Sequence, residues 1–168
     1  MKMEMYHFIT HWYFHAPIDL VWRELNNIEA WPLWWRSYQK AAIRGEQKSI
    51  EVGTIVDNRV KGSLPYSLTY ATQITQWEPP ALLELKSTGD LVGNGKFMLE
   101  ARDDGTAVTF YWDVGTSNAV FNLLAKLPFI RRFMEKNRGV VMDDGYRGLR
   151  ARIEKQGDAV RLQDESGL

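Results

Sequence analysis

The hydrophobic period of this chain changes once, and that change dictates the kind of fold. From about residue 38 to residue 114, apolar side chains tend to recur every second residue in short runs; from Pro128 onward they recur in steps of three and four. Period two belongs to strands that turn one face to a core, and period 3.6 to a helix with one apolar stripe. The chain therefore reads as many short strands followed by one long helix that covers them.

Tyr38 to Arg44, Gly53 to Val60, Tyr66 to Trp77, Leu82 to Ser87, Lys96 to Arg102 and Thr106 to Val114 read as strands. Turn residues separate them: Lys61 to Pro65, Pro79-Pro80, Gly89-Asp90 and the hairpin signal Asp103-Asp104-Gly105. Gly89 to Gly95 reads as a turn between antiparallel strands. It opens no helix and is therefore no dinucleotide fingerprint. The connections are short, so consecutive strands are expected to pair antiparallel.

A seventh strand opens the chain, Met5 to Phe14. Tyr6, Phe8, Trp12 and Phe14 share one parity; His7, Ile9, His11, Tyr13 and His15 share the other. Pro17 and Asp19 suit a helix start, and Ile18, Val21, Trp22 and Leu25 recur at helical spacing until Asn26-Asn27 stops them. Asn27 is placed to cap one further helical turn, and Pro32 disfavours helix at Trp31, so a short helix and bend should carry Trp31, Trp34 and Trp35. Ser117 to Lys126 reads as another short helix. In the long helix Ile130, Phe133, Met134, Asn137, Val141, Gly145, Leu149 and Ile153 line one face. Arg131, Arg132, Glu135, Lys136, Arg138, Asp143, Arg147 and Arg150 line the other, and the period ends near Lys155. Residues 1–156 are expected to form a single domain, with 157–168 a flexible polar tail.

The implied architecture is α+β, a seven-stranded curved antiparallel sheet wrapped on a long C-terminal helix, with two short helices after the first strand. One helix does not fill a strongly curved sheet of that width, so a hollow between them is expected. The 168 residues include seven Trp, seven Tyr and seven Phe, more rings than core filling alone needs. Tyr70, Phe97, Phe110, Trp112, Phe133, Met134 and Asn137 are expected to face the hollow. The Trp31, Trp34 and Trp35 cluster is either a plug between helix and sheet or a gate that touches membrane or partner during ligand transfer. Tyr70 and Asn137 are the inward polar groups. The register of Asp57, Arg59 and Tyr66 is ambiguous: Arg59 either meets a ligand carboxylate or enolate, or pairs at the rim with Asp57 or Glu51.

Several functions are excluded. The formal net charge is zero, with 21 Lys and Arg against 21 Asp and Glu, so there is no cationic surplus for nucleic acid. No Cys is present, which removes disulfides, thiolate catalysis and Cys-ligated zinc. His7, His11 and His15 fall on one strand with neighbours about 13 Å apart, too far to share a metal. No cofactor or metal site is recognisable. No run approaches the length that crosses a bilayer, and the opening residues lack a signal-peptide apolar region, so a cytoplasmic protein is expected, monomer or homodimer.

Ala16-Pro17 with Val21-Trp22 and Leu25, then Trp31-Pro32 and Trp34-Trp35, form one group of short motifs. Gly53-Thr54 with Leu64-Pro65-Tyr66, Glu78-Pro79-Pro80, and Gly89-Asp90-Leu91 with Gly93 and Gly95 form a second. Gly105-Thr106 before Trp112 and Val114, and Asn137, Val141-Met142, Gly145 and Gly148-Leu149, complete them. In this order and spacing the chain resembles the START-like, or SRPBCC, superfamily, and within it the bacterial polyketide cyclase/dehydrase-like proteins. The resemblance implies a helix-grip fold and a hydrophobic cavity. Similar sequences often carry Asn-His where this chain has Asn137-Arg138. Three functions are weighed: binding of a lipid, quinone or polyketide-like aromatic; a cyclase/dehydrase, for which the polar residues Tyr70, Asn137 and Arg59 are the candidates for proton transfer and enolate stabilisation; or a co-chaperone-like interaction domain.

Overall fold

The structure, a computed structural model, describes residues 3–63, 65–117, 123 and 127–166. Its strands are β1 (Tyr6–Phe14), β2 (Tyr38–Ile43), β3 (Ile55–Val60), β4 (Leu68–Glu78), β5 (Leu82–Gly89), β6 (Leu91–Arg102) and β7 (Gly105–Thr116). Its helices are α1 (Ile18–Asn26), α2 (Trp31–Trp34) and α3 (Pro128–Ser166), and a 3-10 turn at Ile28–Ala30 precedes α2. The expected short helix over Ser117 to Lys126 falls outside the described residues, apart from Ser117 and Leu123.

The sheet runs β1-β7-β6-β5-β4-β3-β2, antiparallel at every pairing. From β2 to β7 the chain is a meander. The single long crossing is the one from β1 to β2, and α1 and α2 carry it from one edge of the sheet to the other. Those helices therefore pack on the same face as α3, inside a sheet that curls into a half-barrel.

Three local expectations are corrected. The turn after β5 is confined to Gly89 and Asp90, and β6 begins at Leu91, so Gly93 and Gly95 are strand residues paired to both neighbours. A Cβ at Gly95 would lie 2.7 Å from the Trp112 ring, so the glycine makes room for an indole on the next strand. Trp31 is helical (φ −52°, ψ −42°) despite Pro32, because Pro32 occupies the first turn of α2, where its missing N–H leaves nothing unpaired. The Trp31 indole N–H fastens the turn to the Leu25 carbonyl at 3.0 Å. Finally, α3 does not stop near Lys155 but runs to Ser166.

The apolar core gathers Trp12 and Phe14 from β1, Val21 and Leu25 from α1, Ile74 from β4, Leu83 from β5 and Val108 from β7. From α3 it takes Met142, Leu149 and Ile153, the middle of the helix rather than its start. Glu24, on the buried face of α1, is held by Arg152 and Gln156 of α3. The strand parities of β1 hold: Tyr6, Phe8, Trp12 and Phe14 face inward, and His7, His11 and His15 are exposed.

Candidate functional site

Sheet and helix separate beneath the first half of α3. The gap is a cavity of about 130 Å³, room for about ten water-sized spheres. Its floor is the inner face of β4 to β7, with Tyr70, Leu85, Phe97, Phe110 and Trp112; Trp31, Trp35 and Tyr38 close one end, and Met134, Asn137, Arg138 and Val141 form the roof. Phe97 and Phe110, directly opposite in the β6–β7 register, stack with centroids 4.1 Å apart, and Trp112 continues the stack from Phe110 at 5.7 Å. These flat surfaces suit a planar or aliphatic guest.

The expected cavity residues Trp31, Trp35, Tyr70, Phe97, Phe110, Trp112, Met134 and Asn137 all lie on this wall. Two others, Trp34 and Phe133, do not, and neither do Arg59 and Tyr66, whose register was ambiguous. Trp34 is buried behind it, stacked on Trp35 at 5.5 Å, and its indole N–H meets no partner among the described residues. Phe133 is exposed, whereas Arg138, expected on the solvent face, is half-buried on the wall. Both displacements have one cause. The inward stripe of α3 keeps Met134, Asn137, Val141 and Gly145 from the stripe read in the sequence but turns part of a residue step toward Arg138, so Phe133 swings out and Arg138 swings in. Arg59 is also exposed: Val56, Asn58 and Val60 are the inward parity of β3. Its expected partner Asp57 belongs instead to Arg44, in a two-pronged pair at 2.5 and 3.2 Å that holds the Asp57 carboxyl below the usual range. Tyr66 lies in the β3–β4 connection and is exposed.

The Trp cluster is mainly a plug. The Trp35 indole N–H donates to the Val141 carbonyl at 2.7 Å, locking α2 under α3. Gly145 and Gly148 make the close approach possible: a Cβ at Gly145 would lie 2.5 Å from the Trp35 ring, and one at Gly148 would lie 1.6 Å from the Trp34 carbonyl oxygen.

Polar groups interrupt the wall at few points. The Tyr38 and Tyr70 hydroxyls meet at 3.0 Å. Burial raises the Tyr38 phenol well above its ordinary value, with the neighbouring Tyr70 adding to the shift, and burial pushes Tyr70 to about 12. Both are therefore neutral hydrogen-bonding groups near pH 7, not bases. Asn58 donates to Thr72 Oγ1 and to the Val56 carbonyl, each at 3.1 Å. Asn137 Oδ1 accepts the Ser63 backbone N–H at 2.5 Å, tying the β3–β4 connection to α3, and Gly62 fits only because a Cβ there would lie 2.4 Å from that oxygen. The Arg138 Nη1 donates to Thr10 Oγ1 at 3.0 Å, and the guanidinium lies 4.6 Å over the Phe8 ring.

Tyr38, Asn58 and Arg138 were not among the expected site residues. The signal for Asn58 was available, since it sits between Val56 and Val60 at the same parity; Tyr38 at the start of a strand offered none. Among the described residues no group of three His, Asp or Glu is placed to hold a metal, and no helix is long and apolar enough to cross a membrane.

The family model described as polyketide cyclase / dehydrase and lipid transport matches residues 8–154. No curated protein sequence matches the chain. Among solved structures, the chain is similar to the Zhui aromatase/cyclase from Streptomyces sp. R1128, at 18% identity and a TM-score of 0.71, covering 91% of this chain and 96% of that one. The di-domain ARO/CYC StfQ from the steffimycin biosynthetic pathway aligns at 11% identity and a TM-score of 0.72, covering 92% of this chain and 52% of that one. A START superfamily protein from Mycobacterium smegmatis aligns at 15% identity and a TM-score of 0.67, covering 90% and 98%. At such identities the likeness is one of fold, and it is the helix-grip fold that the sequence implied. With the family model running from within β1 through most of α3, the chain belongs to the polyketide cyclase / dehydrase and lipid transport family.

Proposed function

We propose that the protein binds a hydrophobic small molecule in the cavity between its sheet and α3. One observation carries this reading: the cavity wall is built of stacked rings and aliphatic side chains, and Tyr38, Tyr70, Asn58, Thr72 and Asn137 already bond to one another or to the backbone. Such a wall gains about 25 cal/mol for each Å² of apolar guest surface it covers, with no reaction required. A planar ring system or a lipid tail fits that chemistry, and the family description names lipid transport. Titration with N-phenyl-1-naphthylamine, an uncharged dye that brightens in apolar surroundings, tests the reading. Saturable uptake is expected, together with a co-purified apolar metabolite in an organic extract examined by mass spectrometry. A protein that carries no such molecule and leaves the dye dark does not hold a guest.

A second reading, chemistry of the cyclase/dehydrase type, rests on the Tyr38–Tyr70 hydroxyl pair facing an otherwise apolar wall. A neutral phenol that stays protonated donates a hydrogen bond to a developing enolate, and Asn137 stands across the cavity as a second polar group. Arg59 drops out of this set, since it faces solvent. Incubation with a linear aromatic polyketone distinguishes the readings. Under the second, Tyr70→Phe lowers turnover while dye uptake persists; under the first, the wild-type protein returns the polyketone unchanged.

A further inference from the structure

Among the described residues, Arg138 is the one ionised side chain on the cavity wall. Among the described residues no carboxylate lies within ion-pair distance of it. Its fixed contacts are one hydroxyl, Thr10 Oγ1 at 3.0 Å, and the face of Phe8. Its Nε–H is buried and donates to nothing among the described residues. A guanidinium carries five donors in a fixed fork and never loses its charge near neutral pH. Taken partly out of water, it costs free energy unless an anion or several acceptors complete it. Here a ring holds one face, a hydroxyl takes one donor, and the buried donor is unfilled, at one end of a wall that otherwise offers rings.

We infer that the natural guest is an amphipathic anion, with an apolar body against Phe97, Phe110 and Trp112 and a carboxylate or similarly charged acid group received by Arg138. This rests on the cavity-binding reading and narrows it. Among the described residues the cavity wall offers no positive charge other than Arg138 and no negative charge, so an anion meets attraction without opposing repulsion, whereas a cationic guest is repelled by Arg138. Arg138 thereby takes the role that the sequence offered to Arg59, which faces solvent.

Two dyes with one body test the inference: 8-anilino-1-naphthalenesulfonate, and N-phenyl-1-naphthylamine, which lacks the sulfonate. Arg138→Gln should weaken the sulfonate dye about ten- to hundred-fold, as expected for loss of a hydrogen bond to a charged group, and leave the neutral dye within about twofold. Retained binding of the neutral dye also reports that the variant is folded. A second measurement needs no variant: 2-naphthoate and 2-acetonaphthone compete for the neutral dye on the wild-type protein. The carboxylate should displace it at a concentration no higher than the ketone does, although an unanchored carboxylate would be penalised heavily in an apolar cavity. Equal effects of Arg138→Gln on both dyes, or a carboxylate that needs the higher concentration, overturn the inference while the cavity stands. If the wild-type protein binds neither dye, the cavity reading falls and takes this inference with it.

Discussion

The Arg152 guanidinium of α3 lies 2.5 Å from the Glu24 carboxylate of α1, a side chain only 5% exposed. Gln156 donates to the other carboxylate oxygen at 2.6 Å. The pair fastens the beginning of the helical layer to the far half of α3, outside the cavity. Breaking it from one side leaves a buried carboxylate with Gln156 and the looser Arg23 contact at 3.8 Å. We expect Arg152→Leu to cost about 3 kcal/mol, at the low end for buried pairs because Arg152 is itself 30% exposed. Glu24→Leu combined with Arg152→Leu should recover most of that loss. Urea midpoints at constant slope check both; a single-variant loss below about 1 kcal/mol would reduce the pair to an ordinary surface contact.

Glycines on α3 give a contrast within one helix. Alanine normally stabilises a helix interior by about 1 kcal/mol over glycine. At Gly139, where an added Cβ meets nothing within 4 Å, Gly139→Ala should deliver that gain. At Gly148 the added Cβ would strike the Trp34 carbonyl oxygen at 1.6 Å, a backbone atom that yields only if α2 moves. Gly148→Ala should therefore destabilise by about 2 kcal/mol or more and quench or shift the Trp fluorescence of the cluster. Opposite signs in thermal melts are the expected result; two gains would mean that α2 does not sit against α3.

The tyrosine pair makes a pH prediction. An unfolded phenol ionises near pH 10, and Tyr70 is pushed up to about 12 in the folded protein, with Tyr38 raised well above its ordinary value. A raised value means that the folded state holds protons the unfolded state has lost. The stability tied to them is complete below about pH 10 and declines as pH rises toward 12. Absorbance at the phenolate band should show this pair ionising late, together with unfolding. Tyr70→Phe should remove part of the alkaline decline; ionisation of this pair well before unfolding would contradict it.

The fold was legible because it rests on periodicity, and periodicity survives in the bare sequence. Every expected strand exists, and each inward residue named on β4 to β7 is inward, since Tyr70, Phe97 and Val108 differ in parity from their charged or polar neighbours. The candidate site was legible only where apolar side chains mark the inner face. Asn58 was passed over because the eye goes to the charges Asp57 and Arg59, although Val56 and Val60 define the parity. Arg138 and Phe133 were exchanged because a helix stripe is about 100° wide, and its centre depends on where the Trp34–Trp35 plug meets Gly145 and Gly148. That contact is tertiary and leaves no trace in hydrophobic spacing.

The cavity itself is open to a test that does not need its natural guest. Leu68, half-buried at the start of β4, lines its wall. In a solidly packed interior, Leu68→Trp would force side chains off their rotamers and cost about 1–3 kcal/mol. In a hollow of about 130 Å³ the indole enters space that the protein leaves empty, adding contacts on both faces without displacing backbone. The expected outcome is unchanged or raised stability together with at least tenfold weaker uptake of N-phenyl-1-naphthylamine. Stability and uptake thus move in opposite directions, which neither a damaged fold nor surface adsorption of the dye produces. Damage lowers both, and adsorption leaves uptake untouched. A destabilised variant that binds the dye as before would place the dye elsewhere and leave the space between sheet and α3 without a guest.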